Sequence, residues 1–163
     1  MSSSFTTESG AVIKEPTVCY EEYGRPNSPV ICVAHGGLSS QHAAGLYDGE
    51  TVSTGWWDGV IGPDGAINTR RFRIISINAL GSMYGTTGPT AKNPVTGKPY
   101  GPDFPELSFI DMVNFLHDFL TEIGVEKLFM MAGPSMGALQ SLQMAALYPD
   151  FVERVVAVSA AGR

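Results

Sequence analysis

The sequence predicts an α/β protein with a mostly parallel sheet, on three observations. Four short apolar runs, Val30 to Ala34, Phe72 to Ile77, Leu128 to Ala132 and Val155 to Val158, read as strands buried on both faces. Helical patterns lie before and after the third run. Strands alternating with helices require right-handed crossovers, which make neighbouring strands parallel.

Each element has its own signal. Thr17 to Tyr23 alternates apolar and polar side chains and reads as a half-exposed strand, closed by the turn Arg25-Pro26-Asn27-Ser28-Pro29. Ser108 is an N-cap for a helix carrying Phe109, Met112, Val113, Leu116, Phe119, Leu120 and Ile123 on one face. Asp111 stands three residues after that cap, and Gly124 is a natural terminator. A second, amphipathic helix is predicted from about Met136 to Tyr148, stopped by Pro149. Two long segments, Gly36 to Arg70 and Ala79 to Leu107, interrupt this rhythm and exceed ordinary strand–helix connections. Long loops at one end of a parallel sheet are where sites are built. The plainer alternative is a pair of surface insertions without chemistry.

Composition narrows the class. The 163 residues suit one domain, and 44% apolar with 16% charged residues is the composition of a chain that buries a core. Sixteen acidic residues against ten basic ones disfavour a nucleic-acid surface. No apolar run reaches the roughly 18 residues of a membrane span, and Met1 to Gly10 lacks the pattern of a secretory signal. Cys19 and Cys32 are expected as reduced thiols of a cytoplasmic protein. Residues 1–11 are expected to be flexible.

The sharpest chemical signal is Gly133-Pro134-Ser135-Met136-Gly137, between the third buried run and the second helix. A lone G-x-S-x-G is weak, but strand before and helix after are the context of a nucleophile elbow. The glycines are needed because the serine turns sharply in a strained backbone, and side chains on either side would collide. The hydroxyl then sits at the positive end of a helix, where developing negative charge is stabilised. The alternative is an ordinary glycine-rich turn.

An elbow serine needs an oxyanion hole. The backbone N–H of Met136 is one expected donor. The second is expected from His35-Gly36-Gly37-Leu38 after the first buried run, with Gly37 preferred and Gly36 next. Loss of one such donor costs about 3 kcal/mol of transition-state stabilisation. His35 precedes Ser135 by a hundred residues, whereas elbows of this kind run serine, acid, histidine along the chain, so a structural role is expected for it. His117 is expected at a boundary, and His42 could line a pocket. Asp150 and Glu153 are not placed as a triad acid, and no histidine follows Ser135. No Cys/His cluster suggests a metal, and no P-loop or dinucleotide fingerprint is present.

The two insertions carry a resemblance. Gly55-Trp56-Trp57-Asp58-Gly59-Val60-Ile61-Gly62-Pro63, Tyr84-Gly85-Thr86-Thr87-Gly88-Pro89 and Asn93-Pro94 through Gly97-Lys98-Pro99-Tyr100-Gly101-Pro102-Asp103-Phe104-Pro105, with Ser135-Met136-Gly137, resemble homoserine O-acetyltransferases of the α/β-hydrolase superfamily. The resemblance runs from about residue 12 to the end and covers the N-terminal half of such an enzyme. It implies an α/β-hydrolase fold over residues 1–163 that stops after the strand following the nucleophile helix, the lid and C-terminal strands lying beyond. It implies transfer of an acetyl group from acetyl-CoA to the hydroxyl of L-homoserine, a step of methionine biosynthesis, through an acyl-serine at Ser135. Met136 and Gly37 would be the oxyanion donors, with the triad acid and histidine outside this chain. No permanently bound cofactor is implied; acetyl-CoA is a substrate, and the full-length enzyme would form homodimers.

Two departures matter. Family members commonly read His-Ala-Leu-Thr-Gly where this chain has His35-Gly36-Gly37-Leu38-Ser39, and many have glycine where it has Pro134. Both features are similar to esterases on the same scaffold, in which water is the acceptor. A carboxylesterase therefore stands as the second reading, and an inactive truncated α/β module as the third. An unassisted serine is a poor nucleophile, so this segment alone is expected to be inactive.

Overall fold

The computed structural model describes residues 3–47 and 54–161, and the part of the first insertion at 48–53 lies outside the described residues. Among the described residues nine strands and two α-helices follow in the order β1 (Ser4–Thr6), β2 (Val12–Lys14), β3 (Tyr20–Gly24), β4 (Val30–Ala34), β5 (Ile61–Gly62), β6 (Ile67–Asn68), β7 (Arg73–Ile77), α1 (Phe109–Glu122), β8 (Leu128–Pro134), α2 (Met136–Leu147) and β9 (Val155–Val158), with a short 3-10 turn at Gly101–Asp103. The main sheet has the order β3-β7-β4-β8-β9. Its pairs β7–β4, β4–β8 and β8–β9 are parallel, and β3 runs antiparallel along one edge. This is the mixed, mostly parallel sheet that the alternation of runs predicts.

β4 and β7 are buried along nearly their whole length because both faces are covered. Side chains alternate between the faces. Cys32, Ala34, Ile75 and Ile77 meet Val113, Leu116, Phe119 and Leu120 of α1 and Met144 of α2. On the opposite face Ile31, Val33 and Ile74 meet Ile61 and Ile67, with Trp56 and Trp57 packed against them. Both described helices therefore share one face. The first insertion covers the other, a core role for a segment that the sequence reading left between a site and a surface loop.

α1 starts as predicted. Ser108 Oγ accepts the Asp111 N–H at 3.0 Å, and the Asp111 carboxylate accepts the Ser108 N–H at 2.9 Å, completing a capping box. Gly124, with φ 83°, follows the last turn. Phe109 is more exposed than its place on the apolar face predicts. α2 corrects the sequence reading more plainly: its buried face is Gly137, Ala138, Gln140, Ser141 and Met144, small and polar as much as apolar. The small side chains let it lie close on the sheet, and Ser141 Oγ satisfies itself on the Gly137 carbonyl at 2.7 Å.

The described part of residues 1–11, the segment expected to be flexible, carries β1. β1 and β2 form an antiparallel hairpin with Phe5 opposite Ile13. Phe5 meets Phe115 edge-on at 5.3 Å between centroids, and Ile13 is fully buried in a cluster with Leu80 and Phe115. The Asp111 carboxylate also accepts the Glu8 N–H at 2.7 Å, so one α1 side chain holds both the helix start and the hairpin.

Candidate active site

β8 ends at Pro134, α2 begins at Met136, and Ser135 between them has φ 52° and ψ −117°. Only a few per cent of non-glycine residues have φ in this range, and the surroundings must hold it there. They do so by backbone contacts. Ser135 N–H donates to Val158 O of β9 at 2.9 Å, while Ser135 O accepts Ala138 N–H and Leu139 N–H. The two flanking glycines are sterically required. A Cβ on Gly133 would lie 2.4 Å from Ala34 O, and one on Gly137 would lie 2.0 Å from the same oxygen. The elbow is thus pressed against the end of β4, and the Ser135 side chain remains exposed.

The turn after β4 meets this elbow. A Cβ on Gly36 would be 3.9 Å from Ser135 Cβ, and Gly37 and Met136 line the same cavity. Met136, as first residue of α2, has a backbone N–H with no acceptor inside the helix. Ser135, Met136, Gly36 and Gly37, predicted as one site from distant parts of the sequence, come together. At Gly37 a Cβ meets nothing within 4 Å, and neither Gly36 nor Gly37 has positive φ. Glycine is permitted in this turn by the described residues; it is not demanded.

His35 is structural, as expected. Its Nε2 accepts the Ala79 N–H at 3.0 Å, and its Nδ1 lies 2.6 Å from Gly36 O. A carbonyl can only accept and an N–H only donate, so the ring is neutral with its hydrogen on Nδ1. Burial pushes its pKa below the usual imidazole value. His117 stacks on Tyr148 at 3.8 Å between ring centroids, joining α1 to the end of α2. Glu153 pairs with Lys127 and Arg154 at the surface, and Asp150 sits in the turn after α2; neither serves Ser135. Among the described residues no group of three His, Cys, Asp or Glu side chains could hold a metal. Cys19 and Cys32 are free thiols, Cys32 pushed up to about 12 by burial.

The insertion motifs wall the site. In the first, Trp56 Nε1 donates to Ser40 O at 2.9 Å, Gly45 N–H donates to Asp58 Oδ1 at 2.6 Å, and Trp57 N–H to Ala43 O at 2.8 Å. A Cβ on Gly55 would strike the backbone of Ala43 and Ala44. The Gly55-Trp56-Trp57-Asp58 run therefore clamps residues 40–45, which follow the glycine turn after β4. In the second, Thr86 Oγ1 donates to Asn78 O at 2.7 Å and Thr87 Oγ1 accepts Thr17 N–H at 2.8 Å, fixing the loop that leaves β7.

Sequence reasoning missed a polar network behind the clamp. Glu21 on β3 accepts the hydroxyls of Tyr23 at 2.5 Å and Tyr47 at 2.8 Å, and His42 Nδ1 at 3.1 Å. Tyr23 Oη in turn accepts the Ala43 and Ala44 N–H groups. Glu21 could have been suspected only as a carboxylate on a half-exposed strand.

An inner cavity touches the elbow at Met136, and an outer one meets the inner at Tyr84 without touching the elbow. The inner one, about 300 Å³, is lined by Gly37, Leu80, Met83, Tyr84, Met112 and Met136 among others. The outer one, about 460 Å³, is lined by Leu38, Ser39, Gln41, His42, Thr54 and Tyr84 among others.

Comparison with known proteins agrees with this architecture. The family model for the alpha/beta hydrolase fold matches residues 29–162. A curated homoserine O-acetyltransferase from Methanocorpusculum labreanum is 40% identical over 99% of the chain, which covers 33% of that relative. The crystal structure of esterase E22 superposes with a TM-score of 0.90 at 44% identity, over 99% of this chain and 46% of that one. The homoserine O-acetyltransferase structure from Bacillus anthracis gives 0.88 at 36% identity, over 94% and 43%. The chain thus spans about a third of that curated relative and less than half of those two structures. With its mostly parallel sheet, its elbow-like turn between β8 and α2 and a family match across four fifths of its length, the chain belongs to the α/β-hydrolase fold family.

Proposed function

We propose that the protein is the nucleophile-bearing part of a serine carboxylesterase, with Ser135 as the nucleophile and the N–H groups of Met136 and Gly37 as oxyanion donors. The observation that carries this is the elbow itself: an exposed serine in a strained turn at a helix start, beside the glycine turn of β4 and an apolar cavity. Likeness to esterase E22 over nearly the whole chain, closer in sequence than to the B. anthracis transferase, supports water as acceptor. So do the His35-Gly36-Gly37 turn and Pro134, both esterase-like.

In the proposed reaction Ser135 Oγ attacks the ester carbonyl and loses its proton to a base. The carbonyl oxygen carries the negative charge toward the two N–H donors. The carbon–oxygen bond to the alcohol breaks, the alcohol leaves with the proton, and Ser135 holds the acyl group. Water then adds, releasing the carboxylic acid and restoring the hydroxyl. We assign the base to a residue outside these, a reading supported by the contacts of His35 with Gly36 and Ala79, of His42 with Glu21 and Gly45, and of His117 with Tyr148.

A homoserine O-acetyltransferase, with acetyl-CoA as donor and L-homoserine as acceptor, is the second reading. It rests on curated relatives of that name at 38–44% identity. Incubating the intact enzyme that carries this segment with an acetate ester in water, and separately with acetyl-CoA and homoserine, tests the choice. Hydrolysis without transfer supports the esterase, and transfer without hydrolysis overturns it.

A further inference from the structure

We propose that Tyr84 divides the substrate cleft into two subsites, the inner cavity taking the acyl chain and the outer cavity the alcohol portion, with Met112 setting acyl length. This rests on the acyl-serine reading and adds the substrate class: esters of apolar acids with compact, hydroxyl- or amide-bearing alcohols.

The inner cavity touches both residues whose N–H groups face the reacting carbonyl, Gly37 and Met136. A substituent on the carbonyl carbon therefore enters it directly. Its remaining wall is largely hydrocarbon and thioether, from Leu80, Met83, Pro89 and Met112, with Ser82 and Tyr84 as hydroxyl-bearing residues and no charged side chain. His35, also in the lining, has both ring nitrogens committed to backbone groups and offers a ligand no free donor. Such a wall accepts an acyl chain and gives a charged group no counter-charge.

The outer cavity is chemically different. Ser39, Ser40, Gln41 and Thr54 give it hydroxyl and amide groups, while His42 and Tyr47 in the same lining are bonded to Glu21. It touches neither Met136 nor Gly37 and begins at Leu38, one residue further along the turn. Tyr84, half-exposed, belongs to both linings and so stands at the border.

Met112 is suited to measure chain length because of where it comes from. Most of the inner wall is loop, residues 79–89, whereas Met112 enters from the first turn of α1, held by the Ser108–Asp111 capping box. It is only partly buried, so a change of size there does not empty the core.

The test is kcat/KM of the intact enzyme on p-nitrophenyl acetate, butyrate, hexanoate and octanoate, and on ethyl against glyceryl butyrate. Each methylene that fits raises kcat/KM about fourfold, the equivalent of its transfer free energy. Met112→Ala is expected to raise the hexanoate-to-acetate ratio at least tenfold, and Met112→Phe to lower it as much. Neither should shift the glyceryl-to-ethyl ratio beyond twofold. Gln41→Leu should lower the glyceryl-to-ethyl ratio at least fivefold and leave the chain-length ratio in place. Should the phenylalanine variant not fold, Met112→Leu, close in volume to methionine, and Met112→Ala still report the ratio. Normal hydrolysis with a chain-length ratio unmoved by Met112, or with the alcohol ratio moving in its stead, overturns the division while leaving the esterase reading intact. No hydrolysis and no acyl adduct on Ser135 in the unmodified enzyme overturns both.

Discussion

The imidazole of His35 ties the turn after β4 to the loop after β7: its Nε2 accepts the N–H of Ala79 at 3.0 Å while its Nδ1–H donates to Gly36 O at 2.6 Å. One neutral ring thereby fixes both the glycine turn beside the elbow and the start of the inner cavity wall. A second proton on Nε2 would point at the Ala79 N–H, donor against donor.

That geometry sets a pH dependence. Burial pushes the His35 pKa below its ordinary 6.5, so above about 6.5 the ring is neutral in both folded and unfolded chains and its contribution is complete. As pH falls below that value the unfolded chain takes up the proton first, and stability is lost until the folded pKa is passed. Thermal midpoints at pH 7.5 and pH 5.0 for the wild type and His35→Gln should show the gap between them narrowing at pH 5.0. An equal gap at both pH values would contradict the neutral state assigned to the folded ring.

The elbow glycines and Gly37, proposed as an oxyanion donor, should behave oppositely. Gly137→Ala places a Cβ 2.0 Å from Ala34 O, a backbone atom that cannot swing away, and should cost about 3 kcal/mol or prevent folding. Gly37→Ala meets nothing within 4 Å and keeps its backbone N–H, so thermal midpoints should leave it near the wild type.

Ser135 stores strain that glycine would relieve. With φ 52° and ψ −117°, the residue lies where a Cβ is disfavoured by about 1–3 kcal/mol. Ser135→Gly should therefore raise stability in denaturant titration by about 1 kcal/mol relative to Ser135→Ala, although both abolish turnover.

Asp111→Ala should be costly for a helix-start residue. The buried carboxylate accepts N–H groups of Ser108 and Glu8, so its loss uncaps α1 and frees the hairpin together, about 2 kcal/mol. Proteolysis near residues 1–14 should accelerate in the variant.

What the sequence reveals divides along physical lines. β4, β7 and most of β8 are legible because strands covered on both faces are continuous apolar runs, and α1 because its cap and terminator are local signals. β9 shows the same run but lies at the sheet edge with Val156 and Val158 exposed, which corrects its reading as a doubly buried strand. Gly133 to Gly137 is legible because a strained turn restricts residue type at fixed spacing. The hairpin of β1 and β2 is not, since Phe5 and Ile13 gain their burial from Leu80 and Phe115, far along the chain. The same holds for Trp56 and Thr86, whose motifs stand out as patterns while their partners, Ser40 and Asn78, are found only in three dimensions. The helical face of Met112 suggests a core residue, and the fold puts it at a cavity.

The most direct test is covalent labelling of the intact enzyme with one equivalent of an alkyl p-nitrophenyl phosphonate. The account predicts one p-nitrophenolate released per chain, with the added mass on the peptide bearing Ser135 and none in Ser135→Ala. Ester hydrolysis that continues with Ser135 unmodified, or a label found stoichiometrically at another residue, would contradict it.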